Sequence, residues 1–171
     1  MDIRNEYSKY GIKNFYQFNK ENYKNPHINS INKSLKWIIS KIDIKKYLDL
    51  SCGNGEVTDF LIKNGYNKST GCDPYFMDIF IKNFDKKCYN FSFEEISKKG
   101  LPESFDTIIC SYALHICPKS FFNTLLYQLS IKCKYLVIIS PSKYPIINDY
   151  FELINQNIID RTHTKIYKSI I

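Results

Sequence analysis

The chain has 171 residues, 44% of them apolar and 16% aromatic, with a formal net charge of +7. That length and composition suit one ordinary domain with a real core and exclude a disordered chain. The opening MDIRNEYSKY is polar, and the longest charge-free apolar stretch, Thr107–Pro118, is too short to cross a bilayer, so a soluble cytoplasmic protein without membrane contact is expected.

Residues 1–46 read as helical and polar-aromatic, with Tyr7, Tyr10, Phe15, Tyr16, Phe18 and Tyr23 on a partly amphipathic face. The excess charge sits here: Met1–Lys46 carries ten Lys and Arg against four Asp and Glu, residues 47–140 ten against ten, and 141–171 four against three. Such a flank can steer phosphate-bearing partners. The bias is also compositional, since 22 of the 24 basic residues are lysine, so RNA is the lesser expectation. Asn25-Pro26-His27 breaks the helix, and a second helix is expected from about Asn29 to Ile42 on Ile31, Leu35, Ile38 and Ile39. This places a helical N-terminal cap at 1–45 over a core at 46–171, within one domain.

A strand at Lys46–Leu50 then runs into a turn on Ser51, Gly53 and Gly55, followed by a helix to about Asn64 capped by Gly65. Further strands are expected at Ser69–Cys72, Lys87–Phe91, Thr107–Cys110 and Tyr135–Ile139. Helices are expected at Met77–Phe84 and Ser120–Lys132, and a loop from Glu94-Glu95 through Gly100-Leu101-Pro102. The tail Phe151–Ile171 suits two more strands with a turn near Asp160-Arg161. Strands alternating with helices predict a parallel sheet covered on both faces, with ligands at the carboxyl ends of the strands.

Cys52, Cys72, Cys110 and Cys133 fall in or beside the expected strands and the glycine turn, where small buried thiols fit. No C-x-x-C occurs, and the patch Cys110, His115, Cys117 lacks a second cluster at zinc spacing, so neither disulfides nor a metal are expected.

The glycine turn brings bare backbone and a helix N-terminus toward a ligand. Asp73, 18 positions past Gly55, stands where a carboxylate can accept hydrogen bonds from a ribose. Two cofactor classes compete. A dinucleotide turn wants G-x-G-x-x-G, but the third position here is Thr58, and a pyrophosphate is poorly served by the flanking carboxylates of Asp49 and Glu56. A cofactor with sulfonium and ammonium groups tolerates both.

Asp49-Leu-Ser-Cys-Gly53-Asn-Gly55 resembles motif I, D-x-G-x-G-x-G, of the class I S-adenosylmethionine-dependent methyltransferases, with Ser51 in place of the first glycine. Gly71-Cys-Asp73-Pro74 is similar to the family's ribose-binding acid, and Glu103-Ser-Phe-Asp106 to its entry into strand 4. The likeness covers about residues 45–140. More loosely, Tyr23-Lys-Asn25-Pro26-His27, Ser111-Tyr-Ala-Leu-His115 and Lys165-Ile-Tyr-Lys-Ser169 resemble phrases of a small group of uncharacterised methyltransferases.

The resemblance implies a Rossmann-like, mostly parallel seven-stranded α/β sheet with the last strand antiparallel, and S-adenosylmethionine as cofactor. It implies that Asp49, Ser51, Cys52, Gly53 and Gly55 hold the methionine end, Asp73 and Pro74 the ribose, Ser92 and Phe93 the adenine, and that Ser111 lies beside the methionine. Methyl transfer needs in-line placement in a dry pocket, and a base where the acceptor must lose a proton. Tyr112 and His115 are the catalytic candidates and Tyr23 and His27 the substrate contacts. His163 is expected to be structural or exposed. A small-molecule acceptor is expected; RNA or protein methylation, or a binding subunit without turnover, are the alternatives.

Overall fold

Alternation along the strands sorts the core into two layers, because successive side chains point to opposite faces of a sheet. The computed structural model describes residues 24–171 together with Gly11 and Asn14. Its strands are β1 (Lys46–Leu50), β2 (Lys68–Cys72), β3 (Cys88–Tyr89), β4 (Phe105–Ser111), β5 (Cys133–Ser140), β6 (Phe151–Ile159) and β7 (Thr162–Ser169). Five helices of residues 24–171 accompany them: α1 (Ile28–Ile39), α2 (Glu56–Lys63), α3 (Met77–Phe84), α4 (Phe93–Lys99) and α5 (Lys119–Ser130). A 3-10 turn covers Leu114–Ile116.

The seven strands form one sheet in the order β3-β2-β1-β4-β5-β7-β6. β1 to β5 pair in parallel, and β7 runs antiparallel to both β5 and β6. This is the Rossmann-like, mostly parallel sheet with an antiparallel last strand expected from the sequence. The first strand, β1, lies in the middle of the sheet; the chain winds outward through β2 and β3 and restarts at β4 on the other side of β1. A crevice opens at such a switch in strand order.

On one face Leu48, Leu50, Ile108, Cys110, Leu136 and Ile138 pack against Ile96 of α4 and Leu125, Leu126 and Leu129 of α5. On the other, Tyr47, Ile109, Val137, Ile139 and Ile166 pack against Ile31, Leu35 and Ile38 of α1 and Val57 and Leu61 of α2. Helix α1 thus shares an apolar cluster with the sheet. Phe80 of α3 closes on Cys52 and Cys88 in a third cluster.

The helix α4 stands where a loop was expected. Ser92 and Glu95 form a reciprocal capping box, Glu95 N–H donating to the Ser92 hydroxyl at 3.2 Å and Ser92 N–H to the Glu95 carboxylate at 2.9 Å. The S-x-x-E signature of that box is present in the sequence. Conversely, β3 is shorter than Lys87–Phe91, because past Tyr89 the chain leaves the sheet edge for Ser92, where α4 is capped. Strands β4 and β5 extend beyond the expected apolar runs at both ends. All six cysteines are free thiols, and all but Cys117 are buried. No helix among the described residues is long and apolar enough to cross a membrane.

Gly71 in β2 has no room for a side chain: a Cβ there would lie 2.8 Å from a ring carbon of Phe80 and 2.9 Å from the Cys88 sulfur. Gly71→Ala should therefore lower the unfolding free energy by about 1–3 kcal/mol through overpacking, measured by urea denaturation.

Candidate functional site

The carboxyl ends of β1, β2 and β4 open into a cavity of about 770 Å³, within the usual range for a small-molecule site. Its floor is the turn after β1. Ser51 has φ 58 and Gly53 φ 52, both left-handed. The first of these explains why glycine suits the position that Ser51 occupies. Gly55 caps α2 at φ 86 and packs under Phe84, whose ring a Cβ would meet at 2.1 Å. Its N–H closes the turn on the Cys52 carbonyl at 2.8 Å, while Cys52 N–H continues the β1–β2 ladder to the Cys72 carbonyl at 3.1 Å.

Two acids tie this turn to the sheet. Asp49 is 1% exposed and its carboxylate accepts the Thr58 N–H at 3.2 Å and the Thr58 hydroxyl at 2.7 Å. Thr58, the residue where a dinucleotide turn has its third glycine, thus anchors the first turn of α2 to the end of β1. Asp73 accepts the Gly53 N–H at 3.0 Å through one oxygen, and the Tyr75 and Phe76 N–H groups at 2.8 and 3.0 Å through the other. It holds the glycine turn and the entry to α3 together.

The floor is acidic. Burial pushes the Asp49 pKa up to about 8, with the Glu56 and Asp73 charges adding to it against the Thr58 hydrogen bonds. Glu56 is raised too, by burial first and then by Asp73. No Lys or Arg among the described residues forms an ion pair with Asp49 or Glu56, and none lines the cavity.

The flank beside β2 and β3 is aromatic, built from Tyr75, Phe76, Phe91 and Phe93 around Pro74 and Ser92. The Ser92 hydroxyl is also the cap of α4. On the β4 side stand Ser111, Tyr112 and His115. The Ser111 hydroxyl is sealed from solvent with no hydrogen-bond partner among the described residues. Tyr112 has a left-handed backbone, φ 52, a conformation that costs a non-glycine residue energy and recurs at functional sites. Its ring stacks on His27, with centroids 4.3 Å apart and planes at 15°. Its hydroxyl shares a 2.7 Å hydrogen bond with the Thr162 hydroxyl on β7. Partial burial lowers the His27 pKa.

The cavity wall therefore brings together Asp49, Ser51, Cys52, Gly53, Asp73, Pro74, Ser92, Phe93, Ser111, Tyr112, His115 and His27 from the sequence reading. Gly55 lies beneath the turn rather than in the wall, and Tyr23 lies outside the described residues. His163 is on β7, paired with Ser140 of β5 and Ile158 of β6. Tyr75, Phe76, Phe91, Glu94, Phe121 and Thr162 were not singled out by sequence. Tyr75 and Phe76 directly follow Asp73-Pro74 and were within reach. Thr162 had no signal, since its role depends on β7 folding back beside β5. Among the described residues no group of His, Cys, Asp or Glu is arranged to hold a metal ion.

Residues 14–156 match the family described as a methyltransferase domain. The chain belongs to that family. A methyltransferase domain of this fold implies S-adenosylmethionine as cofactor. An uncharacterized protein of Schizosaccharomyces pombe is 27% identical over 135 residues, covering 57% of this chain and 54% of the yeast protein. The chain thus spans about half the length of that relative. The N-methyltransferase NodS of Bradyrhizobium japonicum, solved with S-adenosyl-L-homocysteine, has TM-score 0.69 at 13% identity over 86% of this chain and 90% of NodS. Magnesium protoporphyrin IX methyltransferase of Synechocystis with bound S-adenosylmethionine has TM-score 0.64 at 12% identity, over 98% of this chain and 94% of that one. An rRNA methylase of Escherichia coli has TM-score 0.66 at 15% identity, over 84% of this chain but 65% of the methylase. At these identities the likeness is one of fold.

The raised Asp49 pKa has a consequence for the stability of the chain without a ligand. A carboxyl that holds its proton more tightly when folded stabilises the fold below its unfolded pKa, and that contribution is lost as pH rises through the folded value. Wild-type stability should fall between about pH 4 and pH 8, and Asp49→Asn should flatten much of that fall in thermal unfolding across the same range.

Proposed function

We propose that the protein transfers a methyl group from S-adenosylmethionine to a small molecule, by in-line attack in the cavity at the ends of β1, β2 and β4. The observation that carries this reading is the acidic floor. Asp49, Glu56 and Asp73 surround the glycine turn, and no Lys or Arg of the described residues lines the cavity. Such a donor set suits a sulfonium and an ammonium and repels a pyrophosphate.

The turn Ser51–Gly55 would hold the methionine end, with Cys52 and Gly53 presenting backbone and Asp49 fixing the turn through Thr58. The Ser111 hydroxyl, which has no partner among the described residues, would add a hydrogen bond there. Asp73, with Pro74 behind it, would receive the ribose, and the aromatic flank with Ser92 and Phe93 the adenine. When bound, S-adenosylmethionine supplies an electrophilic methyl group and a neutral leaving group. The protein's part is then to align the acceptor, exclude water, and remove a proton where the acceptor carries one. His115 and Tyr112 stand at the β4 end for that work, with His27 against Tyr112; Tyr23 is proposed as a further substrate contact. The segment 1–45 is proposed as a cap over this opening and 46–171 as the catalytic core. Six free cysteines support a reducing, cytoplasmic setting.

The basic N-terminal segment favours a second reading, an RNA acceptor. Its binding would weaken steeply with salt, whereas a neutral small acceptor would leave affinity flat. A binding subunit without turnover would bind the cofactor and release no S-adenosylhomocysteine with any acceptor.

Calorimetry with S-adenosylmethionine is the direct test, and no detectable heat of binding at millimolar ligand would sink the proposal. Asp73→Ala should weaken binding by about 1.5–3 kcal/mol, the scale of hydrogen bonds involving a charged group; unchanged affinity would move the ribose site elsewhere. A cation favours ionised Asp49, so binding should release protons. Affinity should climb as pH rises toward about 8 and level off above it, with the proton count read from titrations in buffers of different ionisation enthalpy.

A further inference from the structure

Resting on the reading of the cavity as the methyl-donor site, we infer that Glu56 recognises the amino-acid end of the cofactor: its carboxylate pairs with the α-ammonium of the methionine part. It thereby sets the preference for S-adenosylmethionine and S-adenosylhomocysteine over adenosine thioethers that lack an ammonium.

Asp49, Glu56 and Asp73 stand at the floor of the cavity, and the two aspartates are committed to the fold. One oxygen of Asp49 takes both Thr58 donors. Asp73 gives one oxygen to the Gly53 N–H and the other to the Tyr75 and Phe76 N–H groups. Glu56 differs. It is the first residue of α2, half-buried and in the cavity wall. Its carboxylate leans over the glycine turn, with one oxygen 3.7 Å from where a Cβ on Gly53 would stand. Among the described residues, the hydrogen bond it accepts comes from its own backbone N–H. A ligand laid along Ser51–Gly55 therefore passes beside this carboxylate.

The chemistry favours an ammonium there. Burial first, and then the Asp73 charge, push the Glu56 pKa up. The anion is thus less stable in the cavity than in water, and a cation brought by the ligand offsets that cost. S-adenosylmethionine has a sulfonium and an ammonium. The sulfonium has no N–H to donate, whereas the ammonium offers several, and charge-assisted hydrogen bonds are the strong ones. An acid at the first position of a helix also stabilises that helix through its dipole, a role that is blind to the ligand's ammonium.

The test is calorimetric titration of the full chain with three ligands. They are S-adenosylhomocysteine, its deaminated analogue, which keeps the carboxylate and lacks the ammonium, and methylthioadenosine, which lacks the amino-acid end. S-adenosylhomocysteine has no sulfonium, so an effect of Glu56 that is specific to it acts through the ammonium. The wild-type chain should bind S-adenosylhomocysteine at least about tenfold tighter than the deaminated analogue. Glu56→Gln should weaken S-adenosylhomocysteine by about tenfold or more and leave the other two ligands no weaker. The inference is overturned if Glu56→Gln leaves S-adenosylhomocysteine unchanged, or weakens all three ligands equally, as a purely structural role would. It is also overturned if the wild-type chain binds the deaminated analogue as tightly as S-adenosylhomocysteine, a comparison that needs no variant. S-adenosylhomocysteine binding with any of these results overturns this inference alone. If neither S-adenosylhomocysteine nor methylthioadenosine binds the wild-type chain, the methyl-donor reading falls and this inference with it.

Discussion

The hydrogen bonds from Thr58 to the Asp49 carboxylate are the constraint on which the site depends. Asp49 sits on β1 among fully buried residues, where a lone carboxylate is costly. Two donors from one residue of α2 reduce that cost and fix where the helix begins relative to the strand. Asp73 completes the arrangement from β2 by taking the Gly53 N–H. The turn between β1 and α2 is therefore held from both neighbouring strand ends, and its left-handed residues are over-determined by the surroundings.

This arrangement gathers the carboxyl groups of Asp49, Glu56 and Asp73 at the floor of the cavity. Proteins retain such a feature where a ligand of opposite charge completes it, and perturbed carboxylates in a cleft are a physical marker of function. The aromatic flank beside β2 and β3 and the stacked His27–Tyr112 pair beside β4 complete two further sides. One turn, set at the switch in strand order, thus lies between the end of the cavity that holds Asp49, Glu56 and Asp73 and the end that holds His27, Tyr112 and His115.

Much of this was legible in the residues. The strand at Lys46–Leu50 was bounded correctly because apolar residues meet a glycine turn at its end. The two tail strands were legible because Asp160-Arg161 interrupts two β-rich runs. The helix α4 was missed although Ser92 and Glu95 carry a capping signature, because the segment is short and holds one fully buried apolar side chain, Ile96. The short β3 was over-read because an edge strand has one neighbour, and local propensity does not say where that neighbour ends.

The sequence by itself determined the sheet class, the glycine turn and the acids around it, because period, turn chemistry and charge are local properties. It also decided between a pyrophosphate and a sulfonium ligand, since Thr58, Asp49 and Glu56 lie within one short stretch. Only the tertiary structure decided what faces what. Tyr112 meets Thr162, 50 positions away, because β7 inserts between β5 and β6, and His27 meets Tyr112 because α1 packs on the sheet beside that opening. That no Lys or Arg of the described residues lines the cavity, in a chain rich in lysine, is likewise a property of which side chains fold inward. No local pattern records it, because each lysine reads the same in sequence whether it faces a cavity or the solvent.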